Sequence, residues 1–365
     1  MPTTFNNTNG AFTSGKTKRI AIAIAASLAG VSLTTIISGM CIHDSFFKRY
    51  ERPDYRLYPG LYYYDRIKDT LKRETFKIKS EDAMLQAYYY PTKAPKGLAV
   101  LAHGFHAGSD DYLPLIEAIV NRGYCVLTYD VTGVYSSGGD SMVGMCQSLI
   151  DLDNVLNYAN SDLTFTNMPK VVIGHSWGGY AAASVLAIHK EVKAAVLYAP
   201  MNDGSKVMLE KAEQYAGKLV HPTGSILETY QEVLFGDYVK YNGIVGINSG
   251  KIPVLIAQGI DDTTITPHGQ SITAHLERIT NPNVSYYWGR GSQGTHTGIW
   301  HSKESEEYQR EIKSLINLNK FRLNRELTDG ERARIYASIN HRLYSEVNTE
   351  LIDLTVKTFD KGLGI

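Results

Sequence analysis

The sequence predicts an α/β protein with a mainly parallel sheet and helices on both faces, and three observations lead there. Strand-like and helix-like stretches alternate from residue 97 to residue 318, and crossover helices joining parallel strands must cover both faces of the sheet. A short apolar run, Val171-Val172-Ile173, ends in Gly174-His175-Ser176-Trp177-Gly178-Gly179 and leads into an Ala-rich stretch over 180–188. A serine with a glycine two residues away on each side, between strand and helix, marks a sharp turn that lifts its hydroxyl out of the sheet. Finally, 365 residues with 43% hydrophobic content can fill one large core and carry appendages.

In chain order, residues 1–19 are rich in Asn, Thr, Gly and Ser and end in the basic cluster Lys16, Lys18 and Arg19, so they read as a disordered basic N-terminus. Residues 20–42 carry no charge. A bilayer core takes about 20 apolar residues in a helix, so this run is expected to be a transmembrane anchor, with a cleaved signal segment as the rival. The basic residues ahead of it would stay in the cytoplasm and put the rest outside, membrane-anchored or, after cleavage, secreted. Residues 43–74, charged and Tyr-rich, read as a connector that packs on the domain.

Strand-like runs over 75–78 and 85–90, joined by Lys79-Ser80-Glu81-Asp82, predict an antiparallel hairpin opening the sheet. The parallel strands are expected over 97–102, 124–129, 171–173, 194–198, 253–257 and 284–288. Between them, 111–122 has Leu115, Ile116, Ile119 and Val120 at helical spacing with Pro114 in its first turn, and 145–158 repeats Met145, Leu149, Leu152 and Leu156. The alternation stops over 201–250, where helical stretches follow the carboxyl end of a strand and predict a lid. A helix over 303–318 closes the domain at residue 320. Residues 321–365 form a C-terminal helical extension: a Thr328-x-x-Glu331 capping pattern opens one helix that carries Ile335, Ile339, Leu343, Val347, Leu351 and Leu354.

Charge and cysteine content exclude several function classes. Lys+Arg and Asp+Glu number 37 each, so no overall field draws nucleic acid. Cys41, Cys125 and Cys146 have no metal-type spacing and cannot build a disulfide framework.

A serine hydroxyl is a weak nucleophile until a base takes its proton, and the base needs a carboxylate to hold its tautomer. Ser176 is the candidate nucleophile. Gly259-Ile260-Asp261-Asp262 follows a strand end, and Asp262 is the candidate acid, with its neighbour Asp261 and the more distant Asp203 as alternatives. His296, in the glycine-rich loop after the last strand, is the candidate base and is preferred to His301, which sits at a helix entry. The backbone N–H groups of Phe105 and Trp177 are the candidate oxyanion donors, with His103 read as a structural side chain holding the first of these loops.

These motifs carry a resemblance. His103-Gly104-Phe105, Asp130-x-x-Gly133 with Ser137-x-Gly139, the 174–179 turn, Gly259-x-x-Asp262 and His296 together resemble the α/β-hydrolase superfamily, nearest to its serine aminopeptidase-like and monoglyceride-lipase-like branch. The resemblance covers residues 75–320 and implies a serine hydrolase with a Ser-His-Asp triad, an acyl-enzyme intermediate and no metal or organic cofactor. The implied substrate is a small or lipid-like carboxylic ester; an amide or peptide bond, or acyl transfer, is the alternative. Similar proteins carry glycine where this chain has Tyr135, which is expected to narrow the pocket. A peptidase that trims N-termini would want an acidic group near the lid, and Glu210, Glu213 and Glu228 are available.

Overall fold

The computed structural model describes residues 33–57, 59–60, 63–216 and 221–365. Strands β1 (Glu74–Ser80) and β2 (Ala83–Tyr90) form the expected hairpin, turned by Glu81 at a left-handed φ of 48°. β2 pairs antiparallel with β4 (Cys125–Tyr129). From there β3 (Leu98–Ala102), β4, β5 (Lys170–His175), β6 (Ala195–Tyr198), β7 (Val254–Gly259) and β8 (Val284–Gly289) run parallel. The eight-stranded order is β1-β2-β4-β3-β5-β6-β7-β8. The chain therefore lays β4 on one side of β3 and β5 on the other, and the loops leaving β3 and β5 part at that switch point, where a crevice opens beyond the strand ends.

Side chains alternate along each strand, so the sheet buries two apolar layers. Leu98, Val100, Leu127, Val172, Leu197 and Ile256 face one layer, with helices α3 (Gln147–Ser161) and α4 (Trp177–Ser184) against them. Ala99, Leu101, Val126, Ile173, Val196 and Leu255 face the other, under α2 (Leu113–Val120). The insertion after β6 folds as α5 (Gly204–Ala216), α6 (His221–Phe235) and α7 (Gly243–Asn248).

The C-terminal extension departs from a single tail helix. After α8 (Lys303–Leu323) come α9 (Asp329–Ala337), α10 (His341–Tyr344) and α11 (Thr349–Leu363). Asn340 and Asn348 break the run because each side chain caps a new helix, accepting from the N–H of Leu343 and Leu351 respectively. The Thr328–Glu331 capping box forms. α11 completes the second apolar layer through Leu351, Ile352 and Phe359, and Tyr198 is hydrogen-bonded to Thr355 at 2.6 Å.

Most of the N-terminal expectation falls outside the described residues. Residues 1–32, which include the expected disordered segment and the first part of the 20–42 span, lie outside the described residues. The rest of the span belongs to α1 (Leu33–Phe46), which continues past Ile42 into the expected connector. Its Met40 is buried against Ile226 and Tyr230 of α6, and His43 is buried beside Gln231. The end of the expected span thus packs on the lid, and among the described residues no helix is long and apolar enough to cross a membrane. The connector is held by ionic contacts: Arg52 and Arg73 both donate to the buried Asp110, at 2.5 and 2.8 Å.

One buried cluster ties the end of the lid to the body. His189 Nδ1 and Nε2 lie 2.6 and 2.8 Å from Glu191 and Asp153, and the Tyr238 hydroxyl, just past α6, donates to Asp153 at 2.5 Å. Carboxylates only accept, so both ring nitrogens carry protons and the imidazole is cationic. Burial opposes that charge, but the bonds to Asp153 and Glu191 prevail and raise the His189 pKa above its ordinary 6.5. Both carboxylates are lowered despite burial by their bonds, including those from His189. The histidine's contribution to stability is therefore full below pH 6.5 and is lost as pH rises through the raised value, while the carboxylates' contribution is lost in acid. Tm measured against pH for wild type and His189→Gln is expected to differ most in mildly acidic buffer and to converge above neutrality.

Candidate active site

The turn after β5 holds Ser176 at φ 57° and ψ −114°, a strained conformation for a residue with a side chain. Neighbouring glycines make the turn possible. A Cβ at Gly174 would come within 2.1 Å of the Gly178 carbonyl oxygen, and one at Gly178 within 2.1 Å of the Ala102 oxygen at the end of β3. The second contact also brings the loop after β3 directly against the start of α4. Trp177 opens α4, so its N–H is one of the helix-terminal donors without an intrahelical partner. The Trp177 indole donates to the Met145 carbonyl at 2.7 Å and fixes the turn from behind.

The loops after β7 and β8 pack on each other through their backbones. A Cβ at Gly259 would come within 2.2 Å of the Gly294 oxygen, and Asp261 N–H donates to that same oxygen at 2.9 Å. This contact brings Asp262 and His296 together: His296 Nδ1–H donates to Asp262 Oδ2 at 2.7 Å. The Asp262 side chain is fully buried, and its Oδ1 accepts from the N–H groups of Thr264 and Ile265 at 2.8 and 2.9 Å. Its Oδ2 also accepts from Gln258 at 3.1 Å. The alternatives are occupied elsewhere. Asp261 is exposed, with its own N–H on the Gly294 carbonyl, Asp203 accepts from the N–H groups of Ser205 and Lys206 at the start of α5, and His301 lies 3.0 Å from Glu306 on α8. Among the described residues no hydrogen bond joins Ser176 Oγ to His296; such bonds are often loose before substrate binds.

Two residues that the sequence offers only as packing, Tyr112 at helical spacing and His175 beside the sheet, link these loops. Gly104 N–H donates to the Tyr112 hydroxyl at 2.9 Å, that hydroxyl donates to His175 Nδ1 at 2.8 Å, and His175 Nε2–H donates to the His296 carbonyl at 3.2 Å. One chain of bonds thus runs from the loop bearing Phe105, through the residue before Ser176, to His296. Burial and then the nearby His296 push the His175 pKa down to about 3, so its ring stays neutral and keeps this donor–acceptor pattern. The position of His175 inside the turn was the only available signal, and it equally fits plain packing. Gly104→Ala tests the chain, because its Cβ would lie 3.0 Å from the Tyr112 hydroxyl and 3.3 Å from His175 Nδ1. Both Gly104→Ala and Tyr112→Phe are expected to lower kcat by about 10–10²-fold, less than the 10²–10³ typical of losing an oxyanion donor outright.

His103 is fully buried and bonded on both nitrogens, Nδ1 to the Gly104 carbonyl at 2.8 Å and Nε2 from Val131 N–H at 2.9 Å. Tyr135 holds the same loop. Its hydroxyl donates to Asp111 at 2.9 Å, and its ring leaves room only for glycine at position 108, where a Cβ would come within 2.2 Å. Among the described residues no group of His, Cys, Asp and Glu is arranged to hold a metal ion.

Residues 93–235 match the family model for serine aminopeptidase, S33. A monoacylglycerol lipase of Mycolicibacterium smegmatis is 25% identical over 201 residues, 53% of this chain and 69% of that one. An esterase of Pyrococcus furiosus superposes with a TM-score of 0.52 at 21% identity, over 76% of this chain and 98% of that one. In a second crystal form the same esterase gives 0.51, over 72% and 95%.

The chain has the α/β-hydrolase fold.

The family model and the esterase- and lipase-like relatives support an esterase-type hydrolase, and the strand-to-helix serine turn stands at the switch point of the sheet. The family match ends inside the lid, at residue 235. Both the β7 and β8 loops and α1 therefore lie outside it, and for them the hydrolase is described by its own geometry.

Proposed function

We propose that this hydrolase cleaves carboxylic esters of small or lipid-like acyl groups by a double displacement on Ser176. The observation that carries the proposal is the 2.7 Å pair of buried Asp262 and His296 beside the strained Ser176 turn. Asp262 keeps the proton on His296 Nδ1, which leaves Nε2 to take the Ser176 hydroxyl proton. The serine oxygen attacks the ester carbonyl carbon, and the carbonyl electrons move onto an oxyanion that accepts from the N–H groups of Phe105 and Trp177. The tetrahedral species collapses as His296 returns the proton to the leaving alkoxide, giving an alcohol and an acyl-Ser176. Water, deprotonated by His296, then attacks that acyl carbon and releases the acid and the free serine.

Its relative's description as a monoacylglycerol lipase supports a lipid-like ester. Of the acidic lid residues considered for a peptidase, Glu210 already accepts from Thr266 at 3.1 Å, so no observation favours the amide reading. p-Nitrophenyl esters of graded chain length, assayed beside aminoacyl anilides, test the proposal: ester turnover should dominate, and a preference for anilides would replace it with the peptidase reading. The hydrolase acts outside the cytoplasmic membrane in this proposal, on the sequence basis of Lys16, Lys18 and Arg19 preceding the uncharged run. Protease accessibility of the catalytic domain on intact cells or in the medium is the expected result.

A further inference from the structure

The end of α1 reaches the same crevice from outside the family-matched region. Phe46 stacks on Phe105 with ring centroids 5.0 Å apart and planes 13° apart, and Phe47 meets the edge of the same ring at 5.5 Å. Phe105 in turn stands edge-on to Trp177 at 5.3 Å. A continuous aromatic path therefore runs from α1 to the residue that follows Ser176. Phe47 is buried, but Phe46 keeps 40% of its surface exposed. That exposed part adjoins Cys41, Ile42 and Ser45 on one open face of α1.

α1 is held in this place by buried polar bonds. Gln231 of α6 donates from its amide nitrogen to His43 Nε2 at 2.7 Å, and its amide oxygen accepts from Met145 N–H at 3.1 Å. The Met145 carbonyl receives the Trp177 indole. The helix, the lid and the serine turn thus share one bonded framework, and Met142 N–H donating to the Phe47 carbonyl at 2.7 Å anchors the exit of α1. A surface held so firmly beside the candidate oxyanion loop is preorganised for a ligand.

We propose that α1 forms the acyl-chain wall of the active site, with Phe46 as a specificity-determining residue and the 41–46 face guiding a long alkyl chain along Cys41 and Ile42. This rests on Ser176 being the nucleophile of an ester hydrolase. An alkyl chain on the acyl carbon, held at Ser176, passes the half-buried Phe105 and leaves over Phe46. Short acyl groups end before reaching α1.

Two measurements on the full chain test this. In the first, kcat/KM for p-nitrophenyl dodecanoate and butyrate is compared in wild type, Phe46→Ala and Phe46→Leu. Phe46→Ala should lower the dodecanoate-to-butyrate ratio about 10-fold, the scale of losing apolar contact in a specificity pocket, with Phe46→Leu restoring most of it. An unchanged or increased ratio overturns the proposal. The second uses Cys41, which is exposed while Cys125 and Cys146 are buried. Protein carrying a dodecylphosphonyl group on Ser176 should react with N-ethylmaleimide at Cys41 at least several-fold more slowly than protein carrying a methylphosphonyl group. Equal rates overturn the proposal. Failure of either phosphonate to attach at Ser176 instead overturns the nucleophile assignment beneath it, so the two failures are distinguishable.

Discussion

Replacing Ser176 with alanine is expected to lower kcat by about 10⁶-fold, the scale seen when the nucleophile of a serine–histidine pair is removed. The reason is local. Ser176 stands at the switch point directly after a parallel strand, and the backbone that aims its hydroxyl is fixed by contacts at Gly174 and Gly178 that do not involve its side chain. Ser176 Oγ has no protein hydrogen bond among the described residues, so its loss orphans no partner, and the variant should keep the wild-type Tm. Steady-state kinetics and a thermal melt on the same preparation check both halves of this expectation. A residual rate above background would reflect the oxyanion donors alone.

Asp262→Asn is expected to cost about 10⁴-fold in kcat with little change in fold. The orientation of the new amide is decided by its surroundings. Oδ1 accepts from two backbone N–H groups, at 2.8 and 2.9 Å, so the amide oxygen must take that position. The NH₂ group then replaces Oδ2 and faces His296 Nδ1 and the Gln258 amide nitrogen, both of which are donors in the native protein. His296 can relieve this only by moving its proton to Nε2, which is the nitrogen that must accept from Ser176. Asp262→Glu, which keeps the charge but lengthens the arm, should fall between wild type and Asp262→Asn. A single-turnover assay reads the chemical step in all three.

Local signals carried most of the fold. The alternation of strand and helix, and Pro114 at the first turn of α2, depend on residues near in sequence, and each element lies within a few residues of its expected place. The serine turn was legible for the same reason, since its glycines are dictated by backbone contacts inside one strand–turn–helix unit. Asp262 and Asp261 were separable only by structure, because adjacent residues in a loop differ in direction and not in composition. Tyr112 and His175 read only as packing because their role is a bond chain joining three loops, and the two residues themselves stand 63 positions apart in sequence. The end of the N-terminal span was illegible for a different reason. Hydropathy registers that 20–42 is uncharged, but it does not register a buried His43 paired with Gln231 across 188 residues, and that pairing fastens the end of the segment to the lid. The single tail helix failed for a related reason: apolar spacing continued through Asn340 and Asn348, whose side chains compete for backbone N–H groups and start new helices.

Reaction with a fluorophosphonate, followed by peptide mapping, tests the nucleophile most directly. The expected result is one covalent adduct on the peptide containing Ser176, lost in Ser176→Ala and slowed sharply in Asp262→Asn. No adduct on folded wild-type protein, or an adduct at another residue that persists in Ser176→Ala, would contradict it.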